Sequence, residues 1–343
     1  MKWKSFGRCG LKVTELCLGT MTLAGQADQE TSFAILDAAW GGGIRFLDTA
    51  DCYPIPIEIE TGGRTESLLG QWMTDRKNRL DLVVATKAYF PMGPLPLHRG
   101  NSRLHLRKAC EASLRRLQTD YIDLYLCHGW DETVPVAETI GALEDLRRDG
   151  KILYAGISNV RAPEVTEALL EAQRMAVPGF DGLQPRYNLL YREPEESLFP
   201  LARTRGLGIM VYNPLAGGLL TGKHQPGVAP AEGTRFTLGS SGDVYRARYW
   251  HDRLLSEAAR LHGLAAQHGL SLVTAAVAWT IAHPDITSAI IGVSKPVQLA
   301  DQLRATGVTL PDELKKELDA VWFGLPRRPP EKDPRIGDFY GEL

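Results

Sequence analysis

Short apolar runs of strand length punctuate the chain, and most of the intervals between them carry a helical pattern of apolar positions. The runs are "ELCLG", "IRFLD", "DLVVATK", "YIDLYLCH", "ILYAGISN", "DGLQ", "GLGIMVYN" and "SAIIGVS". Helices are expected over residues 102–117, 136–148, 163–174, 254–268 and 296–305. Such alternation is the pattern of βα units around a parallel sheet. Eight strand-like runs over roughly 300 residues fit a (β/α)8 barrel with insertions better than an open doubly wound sheet. No GxGxxG follows an early strand. The glycine run "WGGGIRF" (residues 40–46) precedes a strand instead, and reads as a helix stop and turn. A Rossmann dinucleotide site is therefore disfavoured.

No Pro/Ser-rich linker, composition break or low-complexity segment divides the sequence, so one domain over residues 1–343 is expected. Two stretches are too long and irregular for plain connections, residues 53–64 and 214–251, and are expected to be functional lids.

Composition narrows the class. At 44% hydrophobic and 23% charged residues, the 343-residue chain has the balance of an ordinary soluble globular protein. A net charge of -2 leaves no electrostatic footprint for nucleic acid or an anionic membrane, so neither is expected as a partner. The arginines of "LRRL" (residues 114–117) and "DLRRDGK" (145–151) fall in helical patterns. The second run is expected to complement a helix C-terminus capped at Gly150 rather than to hold phosphate. Cys9, Cys17, Cys52, Cys110 and Cys127 form no CxxC pair and no zinc-spaced cluster, so reduced thiols, a cytoplasmic location and no metal are expected. No apolar run reaches the ~18 residues of a membrane span, and no signal-like h-region opens the chain.

The chemistry gathers where the strands stop. The runs end in Asp48, Lys87, His128, Ser158-Asn159, Gln184, Tyr212-Asn213 and the stretch from Gly292 to Lys295, the face on which barrel enzymes build their sites. Singly, each has a plain structural reading: Lys87 snorkelling, His128 a satisfied buried imidazole, Asp48 a turn cap, Tyr53 packing. Together they would bury several charges, which is costly unless they pair. A tyrosine is a weak acid at neutral pH, and a neighbouring ammonium lowers its pKa. Lys87 is expected to supply that charge, Asp48 to hold Lys87, and His128 to hydrogen-bond a substrate carbonyl oxygen. Proton delivery to a carbonyl needs a hydride source, for which a nicotinamide cofactor is the simplest completion.

These residues lie in segments that resemble the aldo-keto reductase family over nearly the whole chain. The matching segments are "LCLGTM" (16–21), "FLDTADCY" (46–53), "GRTESLLGQWM" (63–73), "ATK" (85–87), "SLRRLQTDYIDLYLCH" (113–128), "GKILYAGISN" (150–159), "QPRYNLLYR" (184–192), "YNPLAGGLLTGK" (212–223) and "IIGVSKPVQLADQLRA" (290–305). The resemblance implies a (β/α)8 barrel that binds extended NADP(H) and carries the tetrad Asp48, Tyr53, Lys87 and His128. Tyr53 would donate the proton, Lys87 and Asp48 would tune it, and His128 would orient the carbonyl.

For the cofactor, the resemblance implies contacts from Gly19, Thr20, Met21 and Asp48. It places Ser158, Asn159 and Gln184 on the carboxamide and Tyr212 on the nicotinamide ring. Asn213, Pro214, Leu215, Gly217 and Leu219 belong to a strap along the pyrophosphate. Gly292, Ser294, Lys295 and Gln298 would meet the ribose and 2′-phosphate, the lysine favouring NADP over NAD.

Two departures stand out. Asp301-Gln302 replaces the family's usual Glu-Asn pair at the adenine, and "PIPIEIETGGR" (54–64) replaces a shorter glycine-containing loop. Met21, Tyr89 and Trp130 are the expected substrate neighbours, each equally readable as packing. Cys52 and Cys127 flank tetrad residues and read as small buried hydrophobes rather than a redox switch. NADPH-dependent reduction of an aldehyde or ketone is the expected function. An NADPH-binding auxiliary subunit of the kind that attaches to ion channels, and a sugar-nucleotide keto or enoyl reductase, are the alternatives.

Overall fold

The computed structural model describes residues 1–325; the remainder of the expected single domain, residues 326–343, lies outside the described residues. The chain opens with a hairpin, β1 (Trp3–Ser5) against β2 (Lys12–Thr14). Eight strands follow: β3 (Leu16–Gly19), β4 (Phe46–Asp48), β5 (Val83–Ala88), β6 (Ile122–Cys127), β7 (Ile152–Ser158), β8 (Gly182–Gln184), β9 (Gly208–Tyr212) and β10 (Ser288–Ile291). They pair in parallel in chain order, and β10 closes the ring on β3 through Ala289–Leu16 and Ile290–Cys17. The result is the (β/α)8 barrel expected from the sequence.

The helices are α1 (Gln29–Gly41), α2 (Arg64–Arg76), α3 (Arg103–Leu117), α4 (Val136–Arg148), α5 (Ala162–Arg174), α6 (Leu198–Arg205), α7 (Gly239–Tyr249), α8 (Asp252–Gln267), α9 (Leu272–Ala282), α10 (Leu299–Arg304) and α11 (Asp312–Gly324). Local chemistry sets several ends. The Asp28 carboxylate accepts from Thr31 N–H at 2.8 Å to start α1, and Ser102 and Ser271 cap α3 and α9 in the same way. The run "WGGGIRF" ends α1, with Gly43 in the left-handed region at φ +87°. Gly150, at φ +70°, follows α4 as the arginine run predicted. The pattern over residues 296–305 resolves into a 3₁₀ turn (Pro296–Gln298) running into α10.

Alternation along the strands sorts the core into two layers. Cys17, Phe46, Ala85, Leu124, Leu126, Met210 and Ile290 point into the barrel and pack on Phe6, Leu11 and Val13 of the hairpin. The intervening residues, such as Leu16, Leu47, Val84, Tyr125 and Leu183, face the helices in a separate outer core. Phe6 plugs the N-terminal mouth so closely that a Cβ on Gly182 would stand 2.2 Å from its ring. That mouth is shut by the hairpin. No single helix among the described residues is long and apolar enough to cross a membrane.

Residues 214–251, expected as one long loop, contain a 3₁₀ stretch (Ala216–Thr221), a 3₁₀ turn (Arg235–Thr237) and α7. Phe236, Val244, Tyr245 and Tyr249 bury their side chains and give the segment an apolar underside. His224 sits edge-on to Phe236 and Trp250, at ring-centroid distances of 5.2 and 4.9 Å, and ties the two ends of the segment together.

Candidate active site

The same alternation carries the candidate residues. Two positions beyond inward-facing Cys17, Phe46, Ala85, Leu126, Met210 and Ile290 come Gly19, Asp48, Lys87, His128, Tyr212 and Gly292. A side chain two residues on points to the same face, so these groups converge at the C-terminal mouth. There Gly19, Asp48, His128, Tyr212 and Gly292 border one cavity of about 480 Å³, while Lys87 is buried against Asp48 outside its lining.

Asp48 forms its floor, paired with a Lys87 that does not itself line the cavity. Lys87, fully buried, donates to Asp48 Oδ2 at 2.8 Å and to the Thr49 carbonyl at 2.6 Å. Gln184 donates its amide N–H to the other carboxylate oxygen, Asp48 Oδ1, at 2.7 Å. Burial raises the Asp48 carboxyl above its ordinary value, and the Lys87 ammonium and Gln184 amide oppose that rise. The carboxylate thus has donors on both oxygens, the condition for burying a charge.

Above this pair lies Tyr53, with the Lys87 ammonium 5.2 Å from its ring centroid. Burial, followed by the Asp48 charge, pushes the Tyr53 phenol well above its usual value. The sequence argument expected the opposite direction; the ammonium is already satisfied by Asp48 and a carbonyl, so desolvation dominates. The consequence is a phenol that keeps its proton at neutral pH. His128 packs edge-on to Tyr53 and Phe90 at centroid distances of 5.9 and 4.8 Å. Burial, then the charge of Lys87, pushes its pKa well below the ordinary value, so the imidazole is neutral. A neutral imidazole offers one N–H donor beside the phenol.

The other candidates continue from this floor. Ser158 donates to the Gln184 carbonyl at 2.9 Å, Asn159 donates to the His128 carbonyl at 2.9 Å, and the Tyr212 phenol donates to Asn159 Oδ1 at 2.7 Å. Asn159 and Asn213 both adopt the left-handed region, at φ +55° and +68°, which asparagine tolerates better than most residues. Gly19, Thr20, Met21, Pro214, Leu215, Gly217, Ser294, Gln298, Asp301 and Gln302 also line the cavity.

Several expected residues fall outside it. Leu219 is buried in the outer core, and Lys295 is exposed at the rim beside Ser294. Tyr89 and Trp130 do not line the cavity; Phe90 does. Tyr89 and Trp130 lie beyond the ends of their strands, β5 at Ala88 and β6 at Cys127. Tyr89 then packs edge-on to Phe90 at 5.5 Å, and Trp130 packs against the outer core.

Other lining residues were not singled out from the sequence. Ile55 and Ile57 of the stretch 54–64 join Met21 and Phe90 in an apolar wall. Gln26, Lys223, Arg235, Tyr245 and Arg248 line the far side. Gln26 Nε2 donates to the Gly233 carbonyl at 3.0 Å and so bridges from the loop after β3 to the stretch 214–251. The cations within the long irregular stretch were the available signal for Lys223 and Arg235.

Whether a nicotinamide dinucleotide suits these residues can be judged from groups left without partners. Arg235 Nη1 and Gln302 Oε1 are buried and find no hydrogen-bond partner among the described residues. Gly218, at φ +101°, has no heavy atom within 4 Å of where a Cβ would stand, leaving open backbone on the wall of the cavity that Lys223 and Arg235 also line. Cations for a diphosphate, a lone acceptor for an amino group and amide-bearing side chains near Asp48 form a donor set that fits the cofactor. Among the described residues no His/Cys/Asp/Glu cluster could hold a metal.

The chain that folds into this barrel, with a buried Asp-Lys pair under a tyrosine and a histidine at its open end, also matches known proteins along its length. The family profile described as "Aldo/keto reductase family" matches residues 15–322, and the chain belongs to that oxidoreductase family. It is 36% identical over 333 residues to a probable voltage-gated potassium channel subunit beta of Oryza sativa, covering 96% of this chain and 98% of that one. It is also 36% identical to the uncharacterized oxidoreductase YrpG of Bacillus subtilis, covering 96% and 99%. The aldo-keto reductase ausK of Aspergillus calidoustus is 34% identical, covering 91% and 79%.

Proposed function

We propose that the protein reduces an aldehyde or ketone with NADPH. The observation that carries this reading is the arrangement of a protonated Tyr53 and a neutral His128 over the buried Lys87–Asp48 pair, in a cavity that continues to Lys223 and Arg235. NADPH, when bound, supplies the hydride to the carbonyl carbon. His128 donates a hydrogen bond to the carbonyl oxygen and holds it beside Tyr53. As negative charge grows on that oxygen, Tyr53 transfers its phenolic proton to it, giving the alcohol. Lys87 stabilises the phenolate left behind, and Asp48 keeps Lys87 charged and in place.

Cofactor recognition is divided along the cavity. Ser158 and Asn159 meet the carboxamide and Tyr212 the ring, while Gln184 serves mainly to hold Asp48. Lys223 and Arg235 meet the pyrophosphate. Ser294 and the Lys295 ammonium meet the 2′-phosphate, with Gln298 turning away from the two backbone N–H groups it now accepts from at 2.9 and 3.2 Å. Gln302 Oε1 accepts from the adenine amino group. Met21, Ile55, Ile57 and Phe90 favour a carbonyl bearing an apolar substituent.

The rice relative's name favours a second reading, a cofactor-binding auxiliary subunit with little turnover. NADPH and NADH oxidation measured side by side over aliphatic and aryl aldehydes, ketones and quinones separates the two. Turnover with NADPH on apolar carbonyls is expected. Tight NADPH binding without turnover on any of them would overturn the reductase reading.

A further inference from the structure

Cys52 meets His128 in a way the reaction scheme leaves unused. It is fully buried, immediately precedes Tyr53, and its Sγ stands 4.0 Å from His128 Nδ1, at the outer limit of a sulfur hydrogen bond. The imidazole has little freedom to turn away. Its ring is held edge-on by Tyr53 and Phe90, its backbone N–H bonds to the Ala88 carbonyl at 3.0 Å, and its carbonyl accepts from Asn159.

A neutral imidazole exists as two tautomers, and catalysis by His128 needs the one with its proton on the nitrogen facing the substrate. We propose that the Cys52 thiol donates to His128 Nδ1 and thereby fixes the Nε2–H tautomer that addresses the carbonyl oxygen. Imidazole nitrogen is a good acceptor and thiol sulfur a poor one, so S–H to N is the better of the two possible directions. Burial also keeps the thiol protonated, with its pKa well above the usual range, so the donor hydrogen is present. Cys52 is in this view a positioning residue, conveying its effect through His128 in the way that second-layer partners set imidazole tautomers elsewhere.

The inference rests on the reductase reading only for its effect on turnover; the tautomer can be read without substrate. Long-range 1H–15N correlation spectra of 15N-histidine-labelled protein distinguish the two neutral forms, with His128→Gln assigning the signal. Wild type is expected to show Nε2–H at His128. Cys52→Ala is expected to give a mixed or Nδ1–H pattern, and Cys52→Ser, which restores a donor, to recover Nε2–H. In parallel, Cys52→Ala is expected to lower kcat about threefold to tenfold, the weight of one ordinary hydrogen bond, while NADPH affinity stays at wild type and Cys52→Ser recovers. Unchanged NADPH affinity also reports an intact fold. An Nδ1–H signal in wild type, or an Nε2–H signal that survives in Cys52→Ala, overturns the inference. The expected tautomer shift in a protein without carbonyl turnover would count against the reductase reading and leave this one standing.

Discussion

Replacing Lys87 with methionine removes the charge on which the stability of the site and, in the proposed mechanism, the chemistry depend. The pair it belongs to is buried, with side-chain exposures of 0% for Lys87 and 5% for Asp48. Removing one partner leaves Asp48 with Gln184 as its donor, and breaking a buried pair in this way costs about 3–5 kcal/mol. The double variant Asp48→Asn/Lys87→Met removes the stranded charge and is expected to recover most of that loss. For the chemistry, an ammonium 5.2 Å from the ring centroid, at an effective dielectric of about 20, would stabilise a phenolate by at most about 3 kcal/mol, an upper bound because the Asp48 carboxylate bonded to Lys87 opposes it. Lost from the transition state, that energy corresponds to a fall of at most roughly 200-fold in kcat. Urea denaturation of wild type, Lys87→Met and the double variant reads the first quantity, and steady-state reduction of an aryl aldehyde reads the second. A double variant as unstable as the single one would refute the buried-charge argument. A drop in kcat below about tenfold would refute the role of Lys87 in stabilising the phenolate.

Two further outcomes are expected. Arg235→Ala, removing a cation with an unpartnered buried nitrogen, weakens NADPH binding about tenfold to a hundredfold and flattens its salt dependence, as measured by fluorescence titration at two ionic strengths; unchanged affinity counts against placing the pyrophosphate there. Burial pushes the His105 pKa down to about 4 from its ordinary 6.5, so the folded state favours the neutral ring. Its contribution to stability is present above pH 6.5 and is lost as pH falls toward 4; His105→Gln flattens that part of the stability–pH curve, and an unaltered slope contradicts the assignment.

The barrel was legible in the sequence because strands buried on both faces leave continuous apolar runs, and the polar residue closing each run falls at the open mouth. Asp48, Lys87 and His128 were found by that rule, each two positions beyond an inward-facing core residue. Tyr89 and Trp130, expected as substrate neighbours with packing as an equal reading, lie past the ends of β5 and β6 and do not line the cavity, whereas Phe90 does. The N-terminal hairpin escaped notice because strands of three residues carry too little periodicity. Helix α7 escaped because its "GSSGD" start has low helix propensity, and burial of Val244, Tyr245 and Tyr249 compensates for it. The phenol's pKa was misjudged in direction because the charges were visible in sequence and the desolvation was not.

The central claim is that Tyr53 is the proton donor of a carbonyl reduction, and single-turnover oxidation of bound NADPH by wild type and Tyr53→Phe tests it most directly. The account predicts unchanged NADPH affinity in Tyr53→Phe with a loss of about 10²–10⁴-fold in the rate of NADPH oxidation on adding an aryl aldehyde. A Tyr53→Phe protein that oxidises bound NADPH at the wild-type rate would contradict it.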